Sequence, residues 1–199
     1  KFPEWMMPFW FRVFSGRVIG FDFSGVIVEA TPESSFSVGD SVFGLNYQYA
    51  PIGNGARGGT ISEYAIVYED QIWHKPASLS HCEAAALPLV SVTSLQVFEQ
   101  HQVKRGQHIL VIGASGGVGH VATQIASRMG CHVTAICSEK NHQFVSDCGA
   151  KTVLPYNLSN VSIWEQIEHH VLTNTKFDFV LDTVSSADSR DQSMGYIDN

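Results

Sequence analysis

The stretch "HILVIGASGGVGHVATQIASRMGCHVTAIC", His108 to Cys137, constrains the fold more than any other part of the chain. His108 to Gly113 is a short, almost continuous apolar run, as a strand covered on both faces must be. Four glycines crowd Val111 to His120, an apolar-periodic helix follows as far as Gly130, and His132 to Cys137 reads as a second buried strand. Parallel neighbours need a crossover of about a dozen residues, usually helical, so strand, helix and strand together predict a βαβ unit.

The alternation continues downstream. "KNHQFVSDCG" predicts a helix ending at Gly149, "KTVLPY" a strand, "SIWEQIEHHVL" a helix, and "FDFVLDTV" (Phe177 to Val184) a fourth strand. Upstream the character differs. "GVIVEA" (Gly25 to Ala30), "FSVGDSVFGL" (Phe36 to Leu45, with a Gly39-Asp40 turn) and "GTISEYAIVY" (Gly59 to Tyr68) read as strands. "NYQYAPIGNGARGG" between them predicts a mobile loop able to cover a ligand. Ser80 and Glu83 have capping-box spacing, and Pro88 separates that short helix from a longer one running to about His101. The polar tail "SSADSRDQSMGYIDN" predicts loop, and the aromatic opening "KFPEWMMPFWFRVF" is expected to pack on a core.

Composition removes several classes of function. A formal charge of -7 opposes a phosphate backbone, so no nucleic-acid partner is expected. No apolar run approaches the roughly 20 residues of a membrane helix, so no span is expected. Cys82, Cys131, Cys137 and Cys148 form no C-x-x-C pair and read as bland buried thiols of an intracellular protein. The expected compartment is the cytoplasm, or the mitochondrion if a transit peptide lies upstream.

The glycine cluster, Gly113-x-x-Gly116-Gly117-x-Gly119, sits between a strand and a helix. Glycines there let the backbone turn tightly and approach a pyrophosphate, while the first amides of the helix favour the anion. Ser115 adds a hydroxyl donor. The alternative is a tight turn with close helix–strand packing, which also selects small residues. Aligned on Gly116 and Gly119, the first glycine of G-x-G-x-x-G is Ala114, so Gly113 must serve the turn differently. At the end of the second strand, where NAD enzymes carry a ribose-binding acid, this chain has Cys137-Ser138. Ser138 can donate to a 2'-phosphate and Lys140 can neutralise it, which points to NADPH. Glu139 opposes that reading unless it faces solvent.

Five motifs in order carry a resemblance. "GFDFSGVIVEA", "FSVGDSVFGL", "GTISEYAIV", "HKPASLSHCEAAALPLVSVTSLQ" and "GASGGVGHVATQIASRMGCHVTAICSEKN" resemble the quinone oxidoreductase branch of the medium-chain dehydrogenase/reductase superfamily, in particular its zeta-crystallin-like and reticulon-interacting members. The resemblance implies an α/β chain: a partial GroES-like, β-rich catalytic domain in residues 1–85, then a partial Rossmann doubly wound parallel sheet in residues 86–199. It implies zinc-independent, NADPH-dependent reduction of quinones, enones or related activated carbonyl compounds by hydride transfer. By that pattern Ser115, Gly116, Gly117, Val118, Ser138 and Tyr156 match cofactor contacts, and Thr93 matches a position near the nicotinamide. A homodimer is compatible with the same resemblance.

Zinc would need Cys and His ligands in a tetrahedral site. Where zinc-dependent relatives resemble "GHE" the chain has Gly20-Phe21-Asp22, and His169 and His170 are adjacent on a predicted helix and so face apart. Tyr47 and Tyr49 are candidate donors to a substrate carbonyl or, equally, aromatic packing; no catalytic residue is assigned. Family chains are longer at both ends, so this chain is expected to lack early strands of the catalytic domain and the sheet beyond the fourth strand, leaving an exposed apolar edge. Two readings follow: an oxidoreductase or a fragment of one, and a catalytically inactive dinucleotide-binding or protein-interaction module.

Overall fold

The computed structural model of the chain describes residues 18–46, 59–156, 163–173 and 176–184. The opening segment before residue 18, Tyr47, Tyr49 and the tail beyond residue 184 lie outside the described residues. The chain divides into two compact units, Lys1–Leu89 and Val90–Asn199.

In the first unit β1 (Asp22–Val26), β2 (Ser41–Leu45) and β3 (Ile72–His74) form an antiparallel sheet in chain order. Val42, Leu45 and Ile72 are its buried apolar residues. The strand expected over Gly25 to Ala30 lies earlier. Its ladder ends at Val26↔Ser41, and beyond it Ile27 and residues 39–40 exchange two bonds that close the connection to β2. The strand expected over Gly59 to Tyr68 does not form. The Thr60 and Ile61 amides both donate to the Ile19 carbonyl, which bends the chain instead of extending a ladder, and Ile66 is 86% exposed. β2 pairs instead with the three residues of β3, too short a run to show alternation before Pro76.

The helix α1 (His81–Ala85) begins as expected. The Glu83 amide donates to Ser80 Oγ, and the Ser80 amide and hydroxyl donate to the Glu83 carboxylate at 2.8 and 2.7 Å. Those bonds hold the Glu83 carboxyl below its usual range. α2 (Pro88–Gln100) starts on Pro88, and because Leu87 offers no side-chain acceptor its cap comes from elsewhere. Asp22 Oδ1 accepts the Leu89 amide at 2.6 Å.

The second unit is a parallel sheet. β4 (His108–Ile112), β5 (His132–Cys137), β6 (Thr152–Pro155) and β7 (Phe179–Asp182) stand in the order β6-β5-β4-β7. This is the 3-2-1-4 part of a doubly wound dinucleotide fold. β4 alternates between two cores, which explains why its sequence shows no polar face. Ile109 and Val111 pack with Phe98 of α2, Ala122 and Ala126 of α3 (Gly117–Met129) and Val145 of α4 (His142–Asp147). Leu110 and Ile112 pack on the other face with Ile167 of α5 (Ile163–Thr173) and with Phe177. Burial of each such large side chain contributes about 1.5–3 kcal/mol.

Two expected boundaries shift. The helix expected through "KNHQFVSDCG" is a 3₁₀ turn, Glu139–Asn141, followed by α4. The strand expected from Phe177 to Val184 shortens to β7, an outermost strand of the sheet among the described residues, with Phe179, Val180 and Leu181 all half-buried. Of the four thiols, Cys131 and Cys137 are buried as expected, but Cys82 is exposed and Cys148 only partly covered.

Candidate functional site at the carboxyl edge of the parallel sheet

The site begins where β4 ends. Gly113 adopts φ +78° and turns the chain out of the sheet. A Cβ there would stand 2.5 Å from Thr183 Oγ1 and 2.8 Å from Val184 Cγ2, so the position is closed both by its dihedral and by the end of β7. The Gly113 and Ala114 amides donate to the Ile136 carbonyl at 3.1 and 2.9 Å, which fastens the loop to β5. Ala114 is fully buried, its methyl in the first core. The departure from G-x-G-x-x-G therefore has a physical reason: the tight turn moves one residue earlier and the vacated position joins the core.

Gly119 has a different constraint. A Cβ on it would overlap the Gly113 carbonyl and lie 2.8 Å from Ala114 Cα, so only glycine lets α3 pack this close to the loop. Thr123 Oγ1 donates to the Gly119 carbonyl at 2.8 Å and is itself buried. Gly116 occupies the N-cap of α3 without a side-chain acceptor, and the first turn contains no acidic residue. The amides and positive end of α3 are thus left for an external anion. Gly116 and Gly117 are exposed, while Ser115 and Val118 are half-buried beside them.

Thr93 lies half-buried on α2. The buried Ser94 next to it donates from Oγ to the Val90 carbonyl at 2.7 Å and approaches the Val118 carbonyl at 3.5 Å, bringing α2 to the start of α3. The sequence marks Ser94 only as a small polar residue amid an apolar helix, upstream of a glycine loop.

At the end of β5, Ser138 is buried and caps the 3₁₀ turn, and its carbonyl accepts the Asn141 amide. The Tyr156 amide donates to the Cys137 carbonyl at 3.1 Å, which sets an exposed phenol next to Ser138. Ser138, Glu139, Lys140 and Tyr156 line one open hollow of about 520 Å³. The structure therefore brings Ser138, Lys140 and Tyr156 together and adds Glu139. Ser115, Gly116, Gly117 and Val118 stand at the neighbouring strand end. Both groups occupy the carboxyl edge, where open α/β sheets bind ligands.

Asp22, the last residue of the Gly20-Phe21-Asp22 run, spends its carboxylate on the α2 amide. Among the described residues no three His, Cys, Asp or Glu side chains gather as a metal site. His169 is exposed, and the side chain of His170 lies outside the described residues. Burial pushes the Cys131, Cys137 and Cys148 thiols up, with help from Asp178 at Cys131 and Asp147 at Cys148, so these sulfurs stay protonated at neutral pH. No helix among the described residues is long and apolar enough to cross a membrane.

Two family models match the chain: the alcohol dehydrogenase GroES-like domain over residues 5–77 and the zinc-binding dehydrogenase domain over residues 117–199. The NAD(P)H oxidoreductase RTN4IP1, mitochondrial, of Mus musculus is 35% identical over 175 residues, covering 85% of this chain and 41% of that protein. The solved quinone oxidoreductase of Coxiella burnetii is 30% identical with a TM-score of 0.73, covering 92% of this chain and 53% of the other. The mycobacterial protein Rv1454c, solved in complex with NADPH, is 25% identical with a TM-score of 0.73, covering 91% of this chain and 54% of the other. The chain spans about half, or less, of the length of each of these proteins.

Proposed function

Because the chain belongs to the medium-chain dehydrogenase/reductase superfamily, we propose that it is an oxidoreductase, or a part of one, that binds NADPH and reduces quinones, enones or related activated carbonyl compounds without zinc. In this reading residues 1–85 form the GroES-like catalytic domain and residues 86–199 the cofactor domain. The observation that carries it is the pairing, on one sheet edge, of an N-cap without a side-chain acceptor at Gly116 with the hollow of Ser138, Lys140 and Tyr156.

The residues fit a dinucleotide for physical reasons. The amides of Gly117 and Val118 and the positive end of α3 favour a pyrophosphate, and the bare α-carbons of Gly116 and Gly117 admit it closely. Ser115 adds a hydroxyl. In the hollow, Ser138 donates to a 2'-phosphate, Lys140 neutralises it and Tyr156 offers a ring face to the adenine end. Glu139 lines the same hollow, so preference for NADPH over NADH depends on Lys140 and Ser138 outweighing one carboxylate. Thr93 on α2 serves the nicotinamide end. When bound, the reduced nicotinamide supplies the hydride, and the chain's residues hold and orient it.

The name of the murine relative favours a mitochondrial location over the cytoplasm. Titration of the chain with NADPH, followed by cofactor fluorescence, and NADPH consumption with an ortho-quinone or a simple enone test the proposal. Saturable binding with turnover is expected. Binding without turnover would leave the inactive dinucleotide-binding module, and absence of binding would overturn both readings.

A further inference from the structure

The amino edge of the parallel sheet, opposite the glycine loop, carries a cluster that the proposed activity does not use. His108 opens β4, His132 opens β5, and the parallel register sets them directly side by side. Their half-buried rings lie 4.7 Å apart between centroids and are inclined by 33°. Lys151, just before β6, places Nζ 2.6 Å from His132 Nδ1. An ammonium can only donate, so His132 Nδ1 is the acceptor and that imidazole is neutral in this pairing. Among the described residues no carboxylate pairs with Lys151.

The surrounding charges are mixed but mostly basic. Asp178, before β7, has one carboxylate oxygen accepting the His108 main-chain amide at 2.7 Å, and its field falls on Cys131. Asp147, at the end of α4, accepts from Gln143 at 2.8 Å. Against them stand Lys151 directly before β6 and, within four residues of the other strand starts in sequence, the exposed Lys104, Arg105, Arg128 and Lys176. The Arg105 side chain runs past Gly130, in the turn that leads into β5.

We propose that His108, His132 and Lys151 form a binding site for a phosphate-type dianion on the amino edge of the sheet. An ammonium beside two imidazoles repels a metal cation, and no third ligand stands by. For a dianion the same group is complementary. Lys151 turns its donors from His132 to the anion, and His132, freed of the ammonium at Nδ1, takes up a proton and becomes a donor as well. Lys151 first, then desolvation, then His108 keep the His132 pKa below the ordinary histidine value in the free protein. A dianion between these groups reverses the first and third of those effects. Binding is therefore linked to proton uptake and tightens as pH falls.

Sulfate is the suitable probe, because it stays dianionic over the whole range, with chloride at matched ionic strength as the control. The His108 and His132 ring resonances of the full chain are followed by NMR, so anions held elsewhere do not contribute. Saturable shifts of both rings with sulfate are expected, with the His132 titration moved to higher pH and binding about threefold tighter near pH 6 than near pH 8. Lys151→Met should weaken binding at least tenfold, and Lys151→Arg should retain most of it. Equal shifts with chloride, an unmoved His132 titration, or a Lys151→Met chain that binds like the original would overturn the proposal.

Discussion

The carbonyl of Gly113 occupies the space that a Cβ on Gly119 would need, so the turn that leaves β4 and the helix that follows are locked against each other through two glycines. Gly117, two residues before Gly119, has no such constraint. A Cβ there would meet only Val90 Cγ1, at 3.4 Å. Gly119→Ala should therefore destabilise the chain by about 1–3 kcal/mol, as overpacking of a well-filled interior does, whereas Gly117→Ala should stay within about 1 kcal/mol. Urea unfolding of the two variants decides it, and equal losses would contradict the packing described.

Gly117 then separates folding from binding. Gly117→Asp puts a carboxylate on the first residue of α3, where the positive helix end makes it stabilising for the fold but repulsive to a pyrophosphate. The variant should unfold at a denaturant concentration similar to that of the original chain while losing about a hundredfold or more in NADPH affinity. A folded variant with unchanged affinity would remove the glycine loop from the cofactor site.

Lys140 and Glu139 face the same hollow with opposite charges, so cofactor preference should respond to either one. Lys140→Glu should weaken NADPH about tenfold or more while leaving NADH nearly unaffected, and Glu139→Gln should strengthen NADPH. Fluorescence titrations with both cofactors measure the ratio. Parallel losses for NADPH and NADH in Lys140→Glu would place the 2'-phosphate elsewhere.

What the chain revealed in advance follows from where its structure is local. The buried strands β4 and β5 and the helix between them read directly from continuous apolar runs and helical periodicity, and the Ser80–Glu83 cap from a spacing of three. The first unit was less legible, because strand identity there depends on which neighbour supplies a ladder. "GTISEYAIVY" has the right alternation but joins no strand ladder among the described residues, while the short Ile72–His74 pairs with β2. At the site, glycines and strand ends were visible in sequence, but Thr183 against Gly113 and Ser94 against the Val118 carbonyl are contacts between distant segments that no local pattern encodes.

Asp22 shows the same limit with a testable cost. Its carboxylate caps α2 from a strand far upstream. Asp22→Ala should lower stability by about 0.5–2 kcal/mol, the usual loss for an N-cap, and Asp22→Asn, which keeps an oxygen acceptor, should lose less. Thermal unfolding of the pair is the measurement. Equal losses would mean that the bond to Leu89 contributes little.

The buried thiols should make the fold sensitive to alkaline pH. Burial raises the Cys131 and Cys137 pKa values in the folded chain, whereas in the unfolded chain they ionise near the ordinary thiol value of about 8.5. Above that pH the unfolded state binds fewer protons than the folded state, so stability falls as pH rises; below it the thiols are protonated in both states and their contribution is complete. Urea unfolding from about pH 7 to about pH 10 should therefore show a decline beginning near pH 8.5. In the Cys131→Ala, Cys137→Ala double variant the decline should be shallower, although the variant starts from a lower stability because two buried side chains have been cut back. An alkaline slope that is the same in both chains would assign the decline to other groups. Alkylation gives an independent check, since only the exposed Cys82 should react quickly in the folded chain, and rapid labelling of Cys131 or Cys137 would contradict their burial.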